Sequence, residues 1–141
     1  MISETISFIR SNYSSLKKIG VLSTTGTYRS KIYNEMLERE GYEAVLPDPD
    51  MQEKLIHPAI YDPVYGIKSV SEPVHASARE NLLKGFTELK EQGAQGVILG
   101  CTEIPLAFPE SSILGMLSID PTRVLARALL RETFPRKLKP F

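Results

Sequence analysis

"GVILGCTEIPLAFP", residues 96–109, places an unbroken apolar run directly before a glycine, the only cysteine of the chain and an Ile-Pro-Leu segment. A continuous apolar run of this kind is typical of a strand buried on both faces, as in a parallel sheet. A proline close behind the turn is typical of the first turn of a helix. The stretch therefore predicts a buried strand, a tight turn at Cys101 and a helix, which together indicate an α/β fold.

The same alternation of strands and helices runs through the rest of the chain. Apolar runs predict strands at 17–24, 42–47, 95–100 and 112–119. Helical spacing of apolar residues predicts helices at 2–13, 28–41, 50–61, 74–93 and 120–134, with Asp50 and Asp120 as N-caps and Ile32, Met36 and Leu37 as the apolar face of 28–41. Strands that alternate with helices favour a parallel sheet covered on both faces. We expect a three-layer α/β domain with a mostly parallel four-stranded sheet.

Composition narrows the class of protein. The 141 residues suffice for one domain, and 17 Lys and Arg balance 17 Asp and Glu, so no broad attraction to nucleic acid or membrane is expected. No apolar run approaches the ~20 residues needed to cross a bilayer. A single cysteine allows no internal disulfide and fits a reducing compartment. We expect a cytoplasmic protein with an N-terminal helix at 1–17, one α/β domain at 18–134 and a basic C-terminal tail at 135–141.

Functional groups in such sheets collect beyond the carboxyl ends of the strands. The first such stretch is "STTGT", residues 23–27, which follows the first predicted strand. Its hydroxyls, on Thr24, Thr25 and Thr27 among others, lie at the start of a helix and could hold a carboxylate or a phosphate. Ordinary helix capping is the simpler explanation. The stretch has neither the Walker pattern nor the three spaced glycines of a dinucleotide site.

The second stretch is "GCTEIP", residues 100–105, which places Cys101 at a strand end, one step before a helix. Backbone N–H groups and a helix dipole at that position would favour a thiolate. The alternative is a small buried packing residue, since free cysteine is among the most buried residue types. Glu103 is either a helix cap or an acid of the site. Lys68, in the "YGIKS" loop, either reaches over a bound anion or is a solvated loop lysine.

The two histidines, His57 and His75, are isolated in the sequence. Neither has a second His or Cys at the spacing of metal ligands, so we expect no metal site, and each is interpreted as a surface or packing residue. A thiol hydrolase would require one of the imidazoles to lie beside Cys101 as a base.

Longer motifs are more specific than these single residues. "GAQGVILGCTEIPL" resembles the second cysteine motif of the aspartate/glutamate/hydantoin racemase family, a strand followed by G-C-T-E-[IL]-P-L. "KKIGVLSTTGTYRSKIY" is similar to the family's G-[LV]-L-[GS]-T-x-x-T segment, with Thr24 and Thr27 on its threonine positions. "LIHPAIYDPVYGIKS" is similar to its I-Y-x-x-x-x-G-x-K region, which puts Lys68 on the lysine position. "LSIDPTRVLARALL" resembles the family's closing strand and helix, so the resemblance covers nearly the whole chain.

The resemblance implies a Rossmann-like or flavodoxin-like racemase lobe that needs no cofactor. Cys101 would be one acid/base, and Thr24, Thr27 and Thr102 would bind the amino or carboxylate groups of an amino-acid substrate. Lys68 would face a distal carboxylate, and Thr25 and Glu103 complete the expected substrate-binding set. Glu103 stands where the glutamate racemase branch typically has histidine, which indicates the aspartate or hydantoin branch.

One departure from the family is large. Its members have two similar lobes that each supply a cysteine, whereas this sequence has one cysteine and resembles the C-terminal lobe only, with 1–17 as the connector. We expect a chain that is inactive alone, with the second thiol supplied by a homodimer partner or by a missing N-terminal lobe. The alternative is a carboxylate- or amino-acid-binding module without turnover, or a truncated fragment.

Overall fold

Five strands form one mixed sheet. The computed structural model describes residues 1–134 and 136. The strands are β1 (Lys18–Ser23), β2 (Glu43–Val45), β3 (Gly96–Gly100), β4 (Ser112–Ile113) and β5 (Met116–Ile119). Their order across the sheet is β2-β1-β3-β5-β4; β2, β1, β3 and β5 are parallel, and β4 alone runs antiparallel to β5.

Helices cover both faces of this sheet. They are α1 (Ile2–Asn12), α2 (Thr25–Ser30), α3 (Ile32–Arg39), α4 (Pro49–Met51), α5 (His57–Tyr61), α6 (Ala76–Glu91), α7 (Ile104–Ala107) and α8 (Pro121–Thr133), with a π-helical segment, Gln52–Ile56, between α4 and α5. One apolar cluster joins Leu22 of β1 to Ile56 and Phe86. A second cluster joins Ile19 and Val21 of β1 to α1 and α3, because successive side chains of a strand point to opposite faces. The three-layer α/β prediction is confirmed.

The predicted strand at 112–119 is wrong in one respect. It is a hairpin, in which the two-residue turn Leu114-Gly115 has φ values of 53° and 81°. Positive φ at both central residues suits the turns that connect tight hairpins, because their twist matches that of the paired strands. The four predicted strands are thus present and parallel, and the hairpin adds the short fifth strand β4.

The predicted helix at 28–41 is also wrong in part, because the chain forms two helices there. Lys31 breaks the run with a left-handed φ of 53° and ends α2 before α3 begins. The break changes which side chains face the core: Tyr33 and Leu37 are buried, whereas Ile32 is 43% exposed.

The N-cap predicted at Asp50 lies two residues earlier. The Asp48 carboxylate accepts a hydrogen bond of 2.8 Å from the Asp50 N–H, whereas the Asp50 side chain pairs with Lys54. The second predicted cap is confirmed, since Asp120 accepts hydrogen bonds from the backbone N–H groups of Thr122 and Arg123.

The N-terminal helix packs on the rest of the molecule. Ile6 and Ile9 of α1 are 3% and 0% exposed within the second cluster, and α1 contacts α8 and α3. Of the predicted tail at 135–141, Arg136 alone lies within the described residues, so that boundary stays a prediction. Among the described residues, no helix has both the length and the apolar character needed to cross a membrane.

Candidate active site

The two stretches singled out in the sequence lie side by side at one edge of the sheet. β1 and β3 are parallel neighbours, with Ser23 opposite Gly100 as their last residues. A Cβ on Gly100 would stand 2.8 Å from the Ser23 Cβ, so a side chain there would push the two strand ends apart. Glycine thus allows the threonine turn, residues 24–27, and the Cys101 turn, residues 101–103, to start from adjacent points.

Cys101 is the centre of a compact polar cluster. Its side chain is buried, and its thiol donates a hydrogen bond of 2.9 Å to Glu103 Oε2. The Thr102 hydroxyl donates to the same oxygen at 2.8 Å. Lys68 Nζ forms an ion pair with the other oxygen, Oε1. We refer to Cys101, Thr102, Glu103 and Lys68 as the thiol cluster.

The thiol cluster holds Cys101 as a thiol. Burial and, next, the hydrogen bond to the Glu103 side chain raise the pKa of Cys101 to about 11, against a smaller lowering by the nearby Lys68 ammonium. The expected thiolate at a helix N-terminus is therefore wrong for this conformation. The physical reason is first the burial of the sulfur and then the hydrogen bond to the Glu103 side chain; the Glu103 backbone N–H lowers the Cys101 pKa, as expected, but by less.

Glu103 is correspondingly ionised. Partial burial by itself would raise its pKa, but hydrogen bonds from Cys101, Lys68 and Thr102 outweigh it and lower the Glu103 pKa to about 2. Of the two alternatives for Glu103, the side-chain cap is wrong, because the Glu103 side chain makes no capping hydrogen bond to α7. Glu103 instead links three side chains, two of them its own neighbours in sequence and one from a loop 35 residues away.

A tight loop brings Lys68 to this cluster. The backbone N–H groups of Ile67 and Lys68 donate to the carbonyls of Ala59 and Ile60, at 2.9 and 3.1 Å, and so fold the loop back onto α5. Gly66 makes this possible, because a Cβ there would stand 2.5 Å from the backbone nitrogen of Asp62. The Lys68 ammonium also lies over the Tyr61 ring, 5.6 Å from its centroid, and the hydrogen bond to Glu103 raises the Lys68 pKa.

The hydroxyls of the threonine turn are mostly occupied by its own structure. Thr24 is the N-cap of α2 and accepts a hydrogen bond of 3.4 Å from the Thr27 N–H. Its hydroxyl also donates to Thr27 Oγ1 at 3.2 Å. The capping interpretation is therefore correct for this pair. A substrate-binding role for Thr24, Thr25 and Thr27 stays a prediction.

Sequence reasoning missed Gln52, and it missed the contact that His57 makes next to this turn. Gln52 is fully buried, and its amide nitrogen donates to the Ser23 carbonyl and to Thr25 Oγ1, both at 3.2 Å. His57 Nδ1 lies 3.1 Å from the same Thr25 oxygen, and its ring stacks on Tyr61. Pro58 is the one sequence signal for this arrangement, since proline inside a predicted helix removes a backbone donor and disturbs the regular turn.

Both imidazoles make hydrogen bonds with groups other than the Cys101 sulfur. His57 contacts Thr25, and His75 is the N-cap of α6, where its Nδ1 accepts from the Ser77 N–H. This arrangement disfavours a thiol hydrolase, whose base would contact Cys101. Within residues 1–134 and 136, no group of three or more His, Cys, Asp or Glu side chains is placed to hold a metal ion.

Similarity to known proteins identifies the family of the chain. The sequence profile described as Asp/Glu/Hydantoin racemase matches residues 1–129. The glutamate racemase of Pseudomonas aeruginosa (strain UCBPP-PA14) is 29% identical over 127 residues, which cover 86% of this chain and 43% of that protein.

Two solved structures share the fold. An aspartate racemase homologue from Pyrococcus horikoshii OT3 matches with a TM-score of 0.72 and 25% identity, over 93% of this chain and 54% of its own. The aspartate racemase of Picrophilus torridus matches with a TM-score of 0.70 and 27% identity, over 93% and 50%. The chain thus spans about half the length of these relatives. By the match over residues 1–129, it belongs to the Asp/Glu/hydantoin racemase family.

Proposed function

We propose that this chain is the C-terminal lobe of a cofactor-independent amino-acid racemase and that Cys101 is one of its two acid/base groups. One observation carries the proposal: the only cysteine lies at the carboxyl end of β3, hydrogen-bonded to an ionised carboxylate, in a chain of racemase ancestry. Strand ends are where α/β sheets assemble their functional groups.

The raised Cys101 pKa indicates whether Cys101 first donates or first accepts a proton. At neutral pH its sulfur carries a proton, so it acts first as the acid: the S–H bond breaks, the proton joins the α-carbanion, and a thiolate remains. In the opposite direction that thiolate removes the α-proton and becomes a thiol again. The Lys68 ammonium, which lowers the Cys101 pKa, stabilises the thiolate between the two steps.

The remaining groups of the site suit an amino-acid ligand. The hydroxyls of the threonine turn and of Thr102 would hold the α-carboxylate or α-amino group, and Lys68 would face a distal carboxylate. Since Lys68 is already paired with Glu103, a ligand carboxylate has to share or displace that contact. This competition connects ligand binding to the protonation of Cys101, because Glu103 is also the acceptor for its thiol.

Racemisation needs a second acid/base group on the opposite face of the α-carbon. This chain has a single cysteine and spans about half the length of its relatives. We propose that a second copy of the chain or an N-terminal lobe supplies that group, and that residues 1–141 as a single copy do not racemise the substrate.

Deuterium exchange at the α-carbon tests the proposal. The chain is incubated in D2O with each enantiomer of aspartate, of glutamate and of a 5-substituted hydantoin, and NMR and chiral chromatography follow the products. The thiolate fraction of a single cysteine predicts slow deuterium uptake with retention of configuration, faster at higher pH, because one group removes and returns the proton on the same face. Inversion together with a dimer in light scattering would identify the second copy as the source of the other group.

Cys101→Ser is the matched control, since it keeps the size of the side chain and removes the thiol. We expect it to abolish the exchange. Equal exchange by the wild type and by Cys101→Ser, or no exchange with any of these compounds as the pH is raised towards the Cys101 pKa, would refute the catalytic role.

The raised Cys101 pKa favours a second candidate, a binding module without turnover, because a fully protonated thiol is a poor base. Isothermal titration calorimetry distinguishes the two. Saturable binding of a dicarboxylate or amino acid without any exchange at the α-carbon would favour the binding module.

A further inference from the structure

The π-helical segment, Gln52–Ile56, brings two polar side chains to one oxygen. In a regular α-helix, residues five apart point about 140° away from each other. Here the backbone N–H of His57 bonds the carbonyl of Gln52, five residues back, so both side chains face the same way. Gln52 Nε2 and His57 Nδ1 lie 3.2 and 3.1 Å from Thr25 Oγ1. Insertions of this kind are frequent at functional sites.

Gln52 is an unusual residue for the interior. Its side chain is fully buried, and its amide oxygen has no hydrogen-bond partner among the described residues. An unpaired buried acceptor destabilises a fold, and an apolar side chain of similar size would avoid that loss. The amide nitrogen holds both the Ser23 carbonyl and the Thr25 hydroxyl. A role in orienting the end of β1 accounts for a residue that packing alone disfavours.

The contact between Thr25 and His57 links the tautomer of the imidazole to the free proton of the hydroxyl. A hydroxyl has one donor and two acceptor sites. The Gln52 amide donates to one acceptor site of Thr25. A proton on His57 Nδ1 fills the second acceptor site and leaves the Thr25 O–H free, whereas an unprotonated Nδ1 takes that proton up. A ligand carboxylate accepts only, so it requires the neutral imidazole with its proton on Nδ1. Its ring stacks on Tyr61 with a centroid separation of 5.0 Å.

The Tyr61 ring extends these contacts to the thiol cluster, because the Lys68 ammonium lies over that ring. His57 thus contacts, through Thr25 on one side and Tyr61 on the other, the two halves of the candidate site. We propose that His57 is a positioning residue that fixes the Thr25 hydroxyl for a carboxylate bound beside Cys101. This inference rests on the proposed function only for the identity of that carboxylate.

Alkylation of Cys101 tests the role without knowledge of the substrate. Because Cys101 is the only cysteine, iodoacetate and iodoacetamide report on this site alone. The two reagents differ in a carboxylate, and the ratio of their rates at one pH cancels the thiolate fraction. We expect His57→Phe, which keeps an aromatic ring for Tyr61 but loses the Thr25 contact, to lower the iodoacetate/iodoacetamide ratio by roughly three- to tenfold, the factor of one net hydrogen bond.

Three further variants define the effect. His57→Asn retains a polar atom near the position of Nδ1 and is expected to restore the wild-type ratio. Thr25→Val, which keeps the shape and removes the hydroxyl, is expected to lower the ratio as His57→Phe does, and provides the test if that variant does not fold. His75→Phe changes the other histidine and is expected to leave the ratio unchanged.

Imidazole nitrogen NMR supplies an independent readout. We expect neutral His57 to show a protonated Nδ1 that changes its shift in Thr25→Val, and an unprotonated Nε2. An unchanged alkylation ratio in His57→Phe, or a neutral His57 without a proton on Nδ1, would overturn the proposal. Failure of the racemase proposal is recognised separately, because it would show as absent exchange at the α-carbon while the alkylation ratios still respond to His57.

Discussion

At the scale of single residues, the pair Cys101 and Glu103 makes the sharpest prediction. The Glu103 carboxylate helps to raise the Cys101 pKa, and it also holds Lys68, which lowers it. Glu103→Gln removes the charge beside the sulfur, so we expect the Cys101 pKa to fall from about 11 towards its usual value. Each unit of decrease raises the thiolate fraction, and with it the iodoacetamide rate near pH 8, about tenfold.

The exposed Glu110, which pairs with Arg79, is the matched control for that change. Glu110→Gln is expected to leave the alkylation profile of Cys101 as it is in the wild type. A Glu103→Gln variant with an unchanged profile would mean that burial alone sets the Cys101 pKa.

Glu103 also predicts how the free energy of unfolding depends on pH. Its pKa of about 2 in the folded chain lies below the ordinary 4.5, so the ionised carboxylate stabilises the fold at pH values above 4.5. That stabilisation is lost as the pH falls through 4.5 towards 2. We expect the melting temperature of the wild type to exceed that of Glu103→Gln at pH 6, and the difference to shrink steadily below pH 4.5. A constant difference across this range would contradict the assignment.

At the scale of elements, sequence patterns predict a strand or helix correctly where one local rule determines its structure. The apolar run at 96–100 and the Asp120-Pro121 start of α8 each follow from such a rule, and both elements form as predicted. The patterns fail where a change of backbone conformation interrupts an element although the apolar residues continue through it. Leu114 and Lys31 both adopt a left-handed φ that their side chains do not signal, and this splits one predicted strand and one predicted helix. Gly115, beside Leu114, was the available signal for the hairpin.

The cap of the helical run at 49–61 gives the element-scale prediction. Asp48 accepts a hydrogen bond from the backbone of the first turn, whereas Asp50 pairs with Lys54 on the surface. We expect Asp48→Ala to lower the free energy of unfolding by about 1 kcal/mol, the usual loss for an N-cap. Asp50→Ala removes only an exposed ion pair and should cost less than about 0.5 kcal/mol. Urea denaturation of both variants measures the difference, and a larger loss for Asp50→Ala would favour the cap read from the sequence.

At the scale of the whole molecule, the sequence predicts that Thr24 and Cys101 lie at one edge of the sheet, but not the side-chain contacts of the candidate site. Parallel neighbouring strands end at the same edge, and β1 and β3 do so. The contacts of Lys68 with Glu103 and of Thr25 with His57 join residues 35 and 32 positions apart. No periodicity encodes such pairs, because they depend on how the loop after α5 and the π-helical segment pack. The same packing buries the sulfur and keeps Cys101 protonated, whereas the sequence predicts a thiolate.

The two apolar clusters lie on opposite faces of one sheet, and β1 supplies side chains to both. We therefore expect α1 to unfold together with the rest of the chain rather than as an independent connector. Ile9→Ala, in the cluster that contains α1, and Leu82→Ala, in the other cluster, should each lower the free energy of unfolding by about 2–5 kcal/mol. Both should shift the midpoint of one urea transition without changing its slope.

Leu129→Ala, at a side chain that is 59% exposed, is the control and should stay within about 0.5 kcal/mol of the wild type. A near-neutral Ile9→Ala, or a second transition in that variant, would show that α1 is a separate unit attached to the α/β domain.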